Sequence, residues 1–527
     1  MTIAPPQTPR AAEARPKAPR DPRLDFYRGI AMFIILLAHT PSNTWTLWIP
    51  ARFGFSDATE IFVFCSGMAS AMAFGTVFAK RGYALGILRV AFRIYQVYWA
   101  HIGVFLVTAI MLFAIDHYGV GAKDTPYITA PYVVPLFEQT GEALIGLFTL
   151  SYVPGLFDIL PMYLVILAMI PAVMAIHHWT GTRGVVIAVL GVWLAANLAG
   201  YAWRYGDAED LAAWQQPLIS AGEVFSWMLL PSNPFGEGTW FFNPFGWQLV
   251  FFAGFAFGMG WLPAPPVSRR LVIASAVFVL AVIPLAWFRF HGEYSILAGT
   301  FLHDGLVVVR DFIEPLRWKT WQGAGRFLHF LALAYLAWVA VGPHGVRLSE
   351  GFAHPKGPGR GLGTAALAAL VLTLPVAYPK EIALLFPGYD AGLEATLSFN
   401  QIGMLQLLHL FALIVVLWGA LGDGRRHWAG TTGLTRAVPV IRKVGSQSLA
   451  VFMVSIPLSR FNGWLLDHLG ADVWSRAAVN LWGFAVLIGV AYFVGWIRRQ
   501  PWREPPKART ELRGPGAGAA MAETRSA

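Results

Sequence analysis

Residues 24–39 read LDFYRGIAMFIILLAH, and this run decides the fold. Asp25 and Arg28 stand at one end, His39 at the other, and everything from Gly29 to Ala38 is apolar or small. A stretch that apolar needs a hydrocarbon environment, and about 20 such residues cross a bilayer as a helix. Arg28 and His39 are eleven residues apart, close to three full turns, so they share a helix face at a separation of about 16 Å. Moving outward, comparable segments recur at 58–79, 94–115, 156–176, 184–202, 240–261, 271–290, 326–343, 362–378, 402–421, 445–463 and 474–497. With 25–41 they make twelve expected spans in an all-α, polytopic membrane helical bundle.

Composition supports the same class. Of 527 residues, 56% are hydrophobic and only 13% charged, against about 25% charged in an ordinary soluble domain. A soluble enzyme and a disordered chain are both excluded. The net charge of +10 reflects topology rather than nucleic-acid binding, because alternate connections hold the basic residues. Lys80, Arg81, Arg89 and Arg93 lie in one such connection; Arg425, Arg426, Arg436, Arg442 and Lys443 lie in another. The 203–238 connection is acidic, with Asp207, Glu209, Asp210, Glu223 and Glu237. Residues 1–23 and 501–527 are Pro-rich, Ala-rich and basic, and read as disordered cytoplasmic tails. An even number of spans then joins two cytoplasmic termini. The single cysteine, Cys65, allows no disulfide within the chain.

Ionisable groups at membrane depth are functional candidates by default. On the first span, Asp25 can pair with Arg28, three residues on. Arg28 is an anion-binding candidate and His39 a general base; an interfacial ion pair and a helix-capping histidine are the plainer alternatives. The second span opens Ser56-Asp57-Ala58-Thr59-Glu60, with Asp57 read as a helix cap and Glu60 as a carboxylate able to orient His39. Ser66, Gly67 and Ala69 form a small-residue packing face. His101, Asn243, Gln248 and His329 are further polar residues within spans. Arg81, Arg89 and Arg93 either hold orientation or bind phosphates. No Gly-rich phosphate loop, zinc-protease motif or serine-hydrolase elbow is present, so ATP, metal and serine-hydrolase chemistry have no support.

Several stretches carry a resemblance. RDPRLDFYRGIAMFIILLAH (20–39), FGFSDATEIFVFCSG (53–67), RIYQVYWAHI (93–102), ILPMYLVIL (159–167), WFFNPFGWQLVFFAG (240–254), KTWQGAGRFLHFLALAYLA (319–337) and GSQSLAVF (445–452) occur in that order. The first fits the arginine-x10-histidine pattern of integral-membrane acyltransferases. Together the stretches resemble the OpgC family, whose members succinylate osmoregulated periplasmic glucans. The resemblance implies a transmembrane acyltransferase domain over 24–500 in a bacterial inner membrane. Relative to the family's pattern, a helical hairpin is inserted at about 345–440.

The resemblance further implies acyl-CoA as co-substrate, with no bound cofactor or metal, and a periplasmic glycan hydroxyl as acceptor. Catalytic candidates are His39, as base or nucleophile, with Glu60 orienting it and Asp25 holding Arg28. Arg28, Arg89 and Arg93 are candidates for the donor's phosphates or acyl carboxylate. Lys319 and Arg326 are substrate-binding candidates, Lys319 for a succinyl carboxylate. Asn243 and Gln248 are candidates to contact the sugar or polarise the acyl carbonyl. A twelve-span secondary transporter or flippase is the competing class, and residues 25–261 and 271–497 show no repeat to favour it.

Overall fold

The computed structural model describes residues 21–208, 211–292, 295–350, 358–383, 386–421 and 434–502. The expected disordered tails fall almost wholly outside these, save that residues 21–23 open the first helix and 501–502 form a turn. Among the described residues the protein is all-helical, with no strand beyond one isolated bridge, Pro231–Thr239.

The bundle is built from α1 (Pro22–His39), α2 (Ala58–Ser70), α3 (Tyr83–His117), α4 (Ile159–Tyr205), α5 (Pro244–Met259) and α6 (Arg269–Ala286). It continues with α7 (Ala324–Val341), α8 (Arg360–Ala377), α9 (Phe399–Leu421), α10 (Leu434–Ser446), α11 (Ser448–Leu469) and α12 (Val473–Ile497). Among the described residues, eight helices are long and apolar enough to cross a membrane. One of the eight, α4, contains both expected spans 156–176 and 184–202. It is 47 residues long, about 70 Å if straight, more than twice a hydrocarbon core. Gly181 breaks it, with φ 69° and ψ −168°, a conformation open to glycine. Before the break, His177 stacks on Trp261, just past the end of α5; after it, Trp193 and Asn197 bond back to Gln322 and Trp321, beside the start of α5. The chain therefore reverses at Gly181. The remaining expected spans coincide with α1, which carries three charges within eighteen residues, and with the shorter apolar helices α5 and α9.

Two backbone contacts fix the centre of the bundle. Glycines let helices meet without intervening side chains. A Cβ on Gly67 of α2 would lie 2.0 Å from the Phe251 carbonyl oxygen of α5, and one on Gly254 would lie 2.1 Å from that of Phe64. Gly29 of α1 and Gly445 of α10 are matched likewise: their Cβ atoms would strike the Ile441 and Asp25 carbonyls. Backbone cannot yield as a flexible side chain can. Gly67→Ala is therefore expected to force α2 from α5 and lower stability by about 1–3 kcal/mol or more. The thermal midpoint of the detergent-purified protein checks this; an unchanged midpoint would refute the close approach.

The two helices of the expected insertion pair with each other. Thr373 Oγ1 and His409 Nδ1 are 2.9 Å apart, and Gln406 Nε2 donates to the Val376 carbonyl at 3.3 Å. Arg289 donates to Gln406 Oε1 at 3.0 Å, tying the pair to the segment after α6.

Candidate functional site

The two ends of α1 build two different environments. At the Arg28 end, a cavity of about 210 Å³ is lined by Arg28, Ser66, Ser70, Arg89, Arg93, Gln96 and Tyr163, among others. The three arginines singled out in the sequence thus meet, although they come from α1 and α3. Arg28 also lies 5.9 Å from the Phe62 ring centroid of α2, and both Arg28 and Asp25 act on the buried Cys65 thiol. Asp25 is itself buried, where α10 crosses α1. Arg93 donates to Gln96 Oε1 at 3.2 Å. Guanidinium forks paired with hydroxyls and an amide suit phosphate oxygens.

At the other end, α1 stops at His39. His39 Nδ1 lies 2.8 Å from the Ile35 carbonyl oxygen. A carbonyl can only accept, so the proton sits on Nδ1 and the lone pair on Nε2. That tautomer makes Nε2 the basic, nucleophilic atom. The charged groups felt at the ring are Arg460, then Lys319, then Asp57.

Asp57, Glu60, Lys319 and Arg326 form one cluster beside His39. Asp57 caps α2, accepting from Thr59 N at 2.7 Å, while Glu60 Oε2 accepts from Asp57 N at 2.8 Å. This reciprocal pairing follows from the Asp-x-x-Glu spacing. Across the bundle, Lys319 Nζ lies 2.6 Å from Asp57 Oδ2, Arg326 Nε donates to Glu60 Oε1 at 2.7 Å, and Arg326 also reaches Asp57 at 3.4 Å. Glu60 is fully buried and Arg326 nearly so. Burial opposes the Asp57 charge, but Lys319 and Arg326 outweigh it and hold its carboxyl below the usual carboxylate range.

Lys319 is placed by its backbone. Segment 318–323 lies between the second half of α4 and the start of α5. Trp247 Nε1 donates to the Lys319 carbonyl at 2.8 Å, Asn243 N to Thr320 O at 3.0 Å, Trp193 Nε1 to Gln322 O at 2.8 Å and Asn197 Nδ2 to Trp321 O at 2.9 Å. Gly246 and Gly200 leave room for Trp321: a Cβ on either would lie within 2.4 Å of it. The Lys319 ammonium then sits over the Phe241 and Phe242 rings, 5.8 and 5.3 Å from their centroids.

Five residues singled out in the sequence have structural partners instead. Glu60 is bound to Arg326 and to its own helix start, and the Ile35 carbonyl orients His39 instead. Asn243 is the α5 cap: its Oδ1 accepts from Phe245 N and Gly246 N, and its Nδ2 donates to the Met228 carbonyl. Gln248 is buried and donates to Val189 O at 2.8 Å, joining α5 to α4. Lys319 and Arg326, read as substrate-binding, hold the acidic start of α2. His329 sits beside this cluster, its Nδ1 2.7 Å from Ser56 Oγ. His101 is enclosed on α3, and neither ring nitrogen has a hydrogen-bond partner among the described residues. Arg460, an arginine in the middle of apolar α11 whose charge is felt at the His39 ring, was not singled out in the sequence; a charge at membrane depth is the signal that marks it.

A helical bundle with eight helices able to cross a membrane, an imidazole at one end of α1 and a basic cavity at the other defines a polytopic membrane protein with two polar sites. The chain belongs to the OpgC protein family, whose family model matches residues 20–357 and 355–499. That membership gives it a function of the membrane acyltransferase type. Searches of curated proteins and of solved structures returned no match.

Proposed function

We propose that the protein is an O-acyltransferase that moves an acyl group from cytoplasmic acyl-CoA to a hydroxyl of a periplasmic glucan or similar glycan. The observation that carries this reading is α1 itself. It presents Arg28 to a basic cavity and, about 16 Å away along the same helix, His39 with a free Nε2.

In this reading the CoA phosphates lie against Arg28, Arg89 and Arg93, with the termini in the cytoplasm. The pantetheine arm runs along α1 and brings the thioester to His39. His39 Nε2 removes the proton from the acceptor hydroxyl as its oxygen attacks the thioester carbon. The carbon–sulfur bond breaks, and the imidazolium returns the proton to the leaving thiolate. The products are one ester and one free CoA thiol. The alternative, direct attack by Nε2 to form an acyl-imidazole, uses the same atom. The acidic connections and the outer ends of the helices face the acceptor.

Replacing Arg89 and Arg93 together by Ala is expected to raise KM for acyl-CoA about 10- to 100-fold with a smaller effect on kcat, since the phosphates do not react. Free-thiol release against acyl-CoA concentration measures it; an unchanged KM would place the donor elsewhere. The function as a whole is tested by mass spectrometry of periplasmic glycans from cells lacking the gene. An acyl mass increment should vanish on deletion and return with the wild-type gene. A deletion that leaves every glycan unchanged, with no thiol release by the purified protein, would favour a transporter.

A further inference from the structure

The helix Phe301–Phe312 belongs to neither polar site, and it presents two unlike faces. At about 100° per residue, His303, Leu306, Val307 and Arg310 share one side, and all four are half-buried against the protein. Opposite them stand Phe301, Leu302, Gly305, Val308, Val309 and Phe312, all exposed. Phe301 is 82% exposed, Val308 68% and Phe312 79%. A Cβ on Gly305 would meet nothing within 4 Å. Asp304 and Asp311, also exposed, form an acidic edge beside this apolar face. A contiguous apolar face of that kind marks a contact surface.

The depth of this helix is fixed by α6. Arg310, on its inner face, donates to the Leu285 carbonyl, one of the last carbonyls of α6 and so without a partner in its own helix. Arg310 Nη1 also lies 3.1 Å from His291 Nε2, and Arg317 Nη2 donates to the Arg310 carbonyl at 3.1 Å. Helix α6 has 18 residues, about 27 Å, close to the thickness of a hydrocarbon core. It starts at Arg269 and Arg270, so the basic-inside pattern puts Leu285 at the outer boundary of that core. The helix Phe301–Phe312 is held at this boundary, and its 12 residues are too few to cross. Because α6 buries almost none of its length within the protein, acyl chains surround it. The apolar face of the shorter helix begins where that lipid-facing surface ends. Apolar side chains on one side and carboxylates along the edge are what a helix lying in a membrane surface requires.

We infer that Phe301–Phe312 lies flat in the outer interface of the bilayer, its apolar face among the acyl chains and Asp304 and Asp311 towards water. The partner of this surface is the lipid itself, and the inference stands independently of acyl transfer. From Phe312 the chain runs through Glu314–Arg317 to Lys319, seven residues on. The docked helix therefore anchors the segment that delivers the Lys319 ammonium to Asp57, 2.6 Å away. Lifting the helix from the lipid loosens that segment.

The test uses the full-length protein in nanodiscs of phosphatidylethanolamine and phosphatidylglycerol. In a Cys65→Ala background, a nitroxide is attached at Phe301→Cys, Val308→Cys, Phe312→Cys, Asp304→Cys or Asp311→Cys, one site at a time. At the three apolar sites, relaxation by dissolved oxygen should exceed relaxation by a water-soluble nickel chelate about tenfold, and at the two acidic sites the order should reverse. Nickel access at all five sites would put the helix in water and overturn the inference. Exclusion of both agents at the apolar sites would place protein there, a second copy of the chain, and overturn it equally. Val308→Asp, which puts a charge on the apolar face, should lower oxygen access at the Phe301→Cys label about threefold. The same change should raise the mobility of a label at Leu316→Cys, between the helix and Lys319. Unchanged oxygen access at Phe301→Cys would overturn the docking, and unchanged mobility at Leu316→Cys would overturn the link to Lys319.

Discussion

His39→Asn is expected to abolish acyl transfer, by at least about 10³-fold in kcat, while the protein folds and binds acyl-CoA as before. An asparagine amide places its nitrogen close to where Nδ1 stands, so it can keep donating to the Ile35 carbonyl, 2.8 Å from Nδ1 in the native protein. The end of α1 is preserved, and what disappears is Nε2. Removing a positioned base or nucleophile costs about 10²–10⁴-fold or more. Asp57 is paired with Lys319 at 2.6 Å and Glu60 with Arg326 at 2.7 Å, so both carboxylates are held in ion pairs. The measurement is thiol release together with the glycan acyl increment in cells expressing the variant at wild-type level. Full restoration of the increment would make His39 a structural cap and remove the chemical centre proposed here. His39→Ala serves as the harsher companion: it loses the bond to Ile35 as well, and any additional drop reports the value of that bond.

Much of this architecture is legible in the sequence because membrane helices are specified by length and apolarity, which are local. The expected spans recur as helices for that reason, and Gly181 separates two of them where a straight helix would overrun the bilayer. The pairing of Gly67 with α5 was visible as a small-residue face, although its partner was not. The candidate site was legible where its residues lie on one helix. Arg28 and His39 follow from an eleven-residue spacing, and Asp57 follows from its place before α2. What the sequence does not display is which side chains satisfy each other across the bundle. Glu60 and Arg326 are 266 positions apart, and nothing local couples them. Read alone, each is an ionisable group at membrane depth and invites a role toward substrate; together they complete each other. Asn243 and Gln248 repeat the lesson. A cap before Pro244 and a buried amide bonded to Val189 are structural uses of polar atoms, evident only when the partner carbonyls are in place.

Removing either member of the Glu60–Arg326 pair should have the largest effect on stability of any single substitution considered. Glu60 has no solvent exposure and Arg326 only 7%. Deleting one partner of such a pair leaves a charge buried without compensation, at about 3–5 kcal/mol. Arg326→Met strands Glu60 and weakens the hold on Asp57. Glu60→Gln strands much of the Arg326 charge, though Asp57 at 3.4 Å retains part of it. The expected order of damage is therefore Arg326→Met greater than Glu60→Gln. The double variant should be less damaged than the sum of the two, because replacing both members removes the unpaired charge. Thermal unfolding of all three in the same detergent gives the coupling directly. The same variants separate stability from chemistry. Wherever the double variant folds, the Asp57–Lys319 pair and the Ile35–His39 bond are still present, so the remaining thiol release should exceed that of His39→Asn by orders of magnitude. Additive losses in stability would mean that Glu60 and Arg326 are not each other's principal partners. Activity as low as that of His39→Asn in a well-folded double variant would place one of them in the chemistry itself.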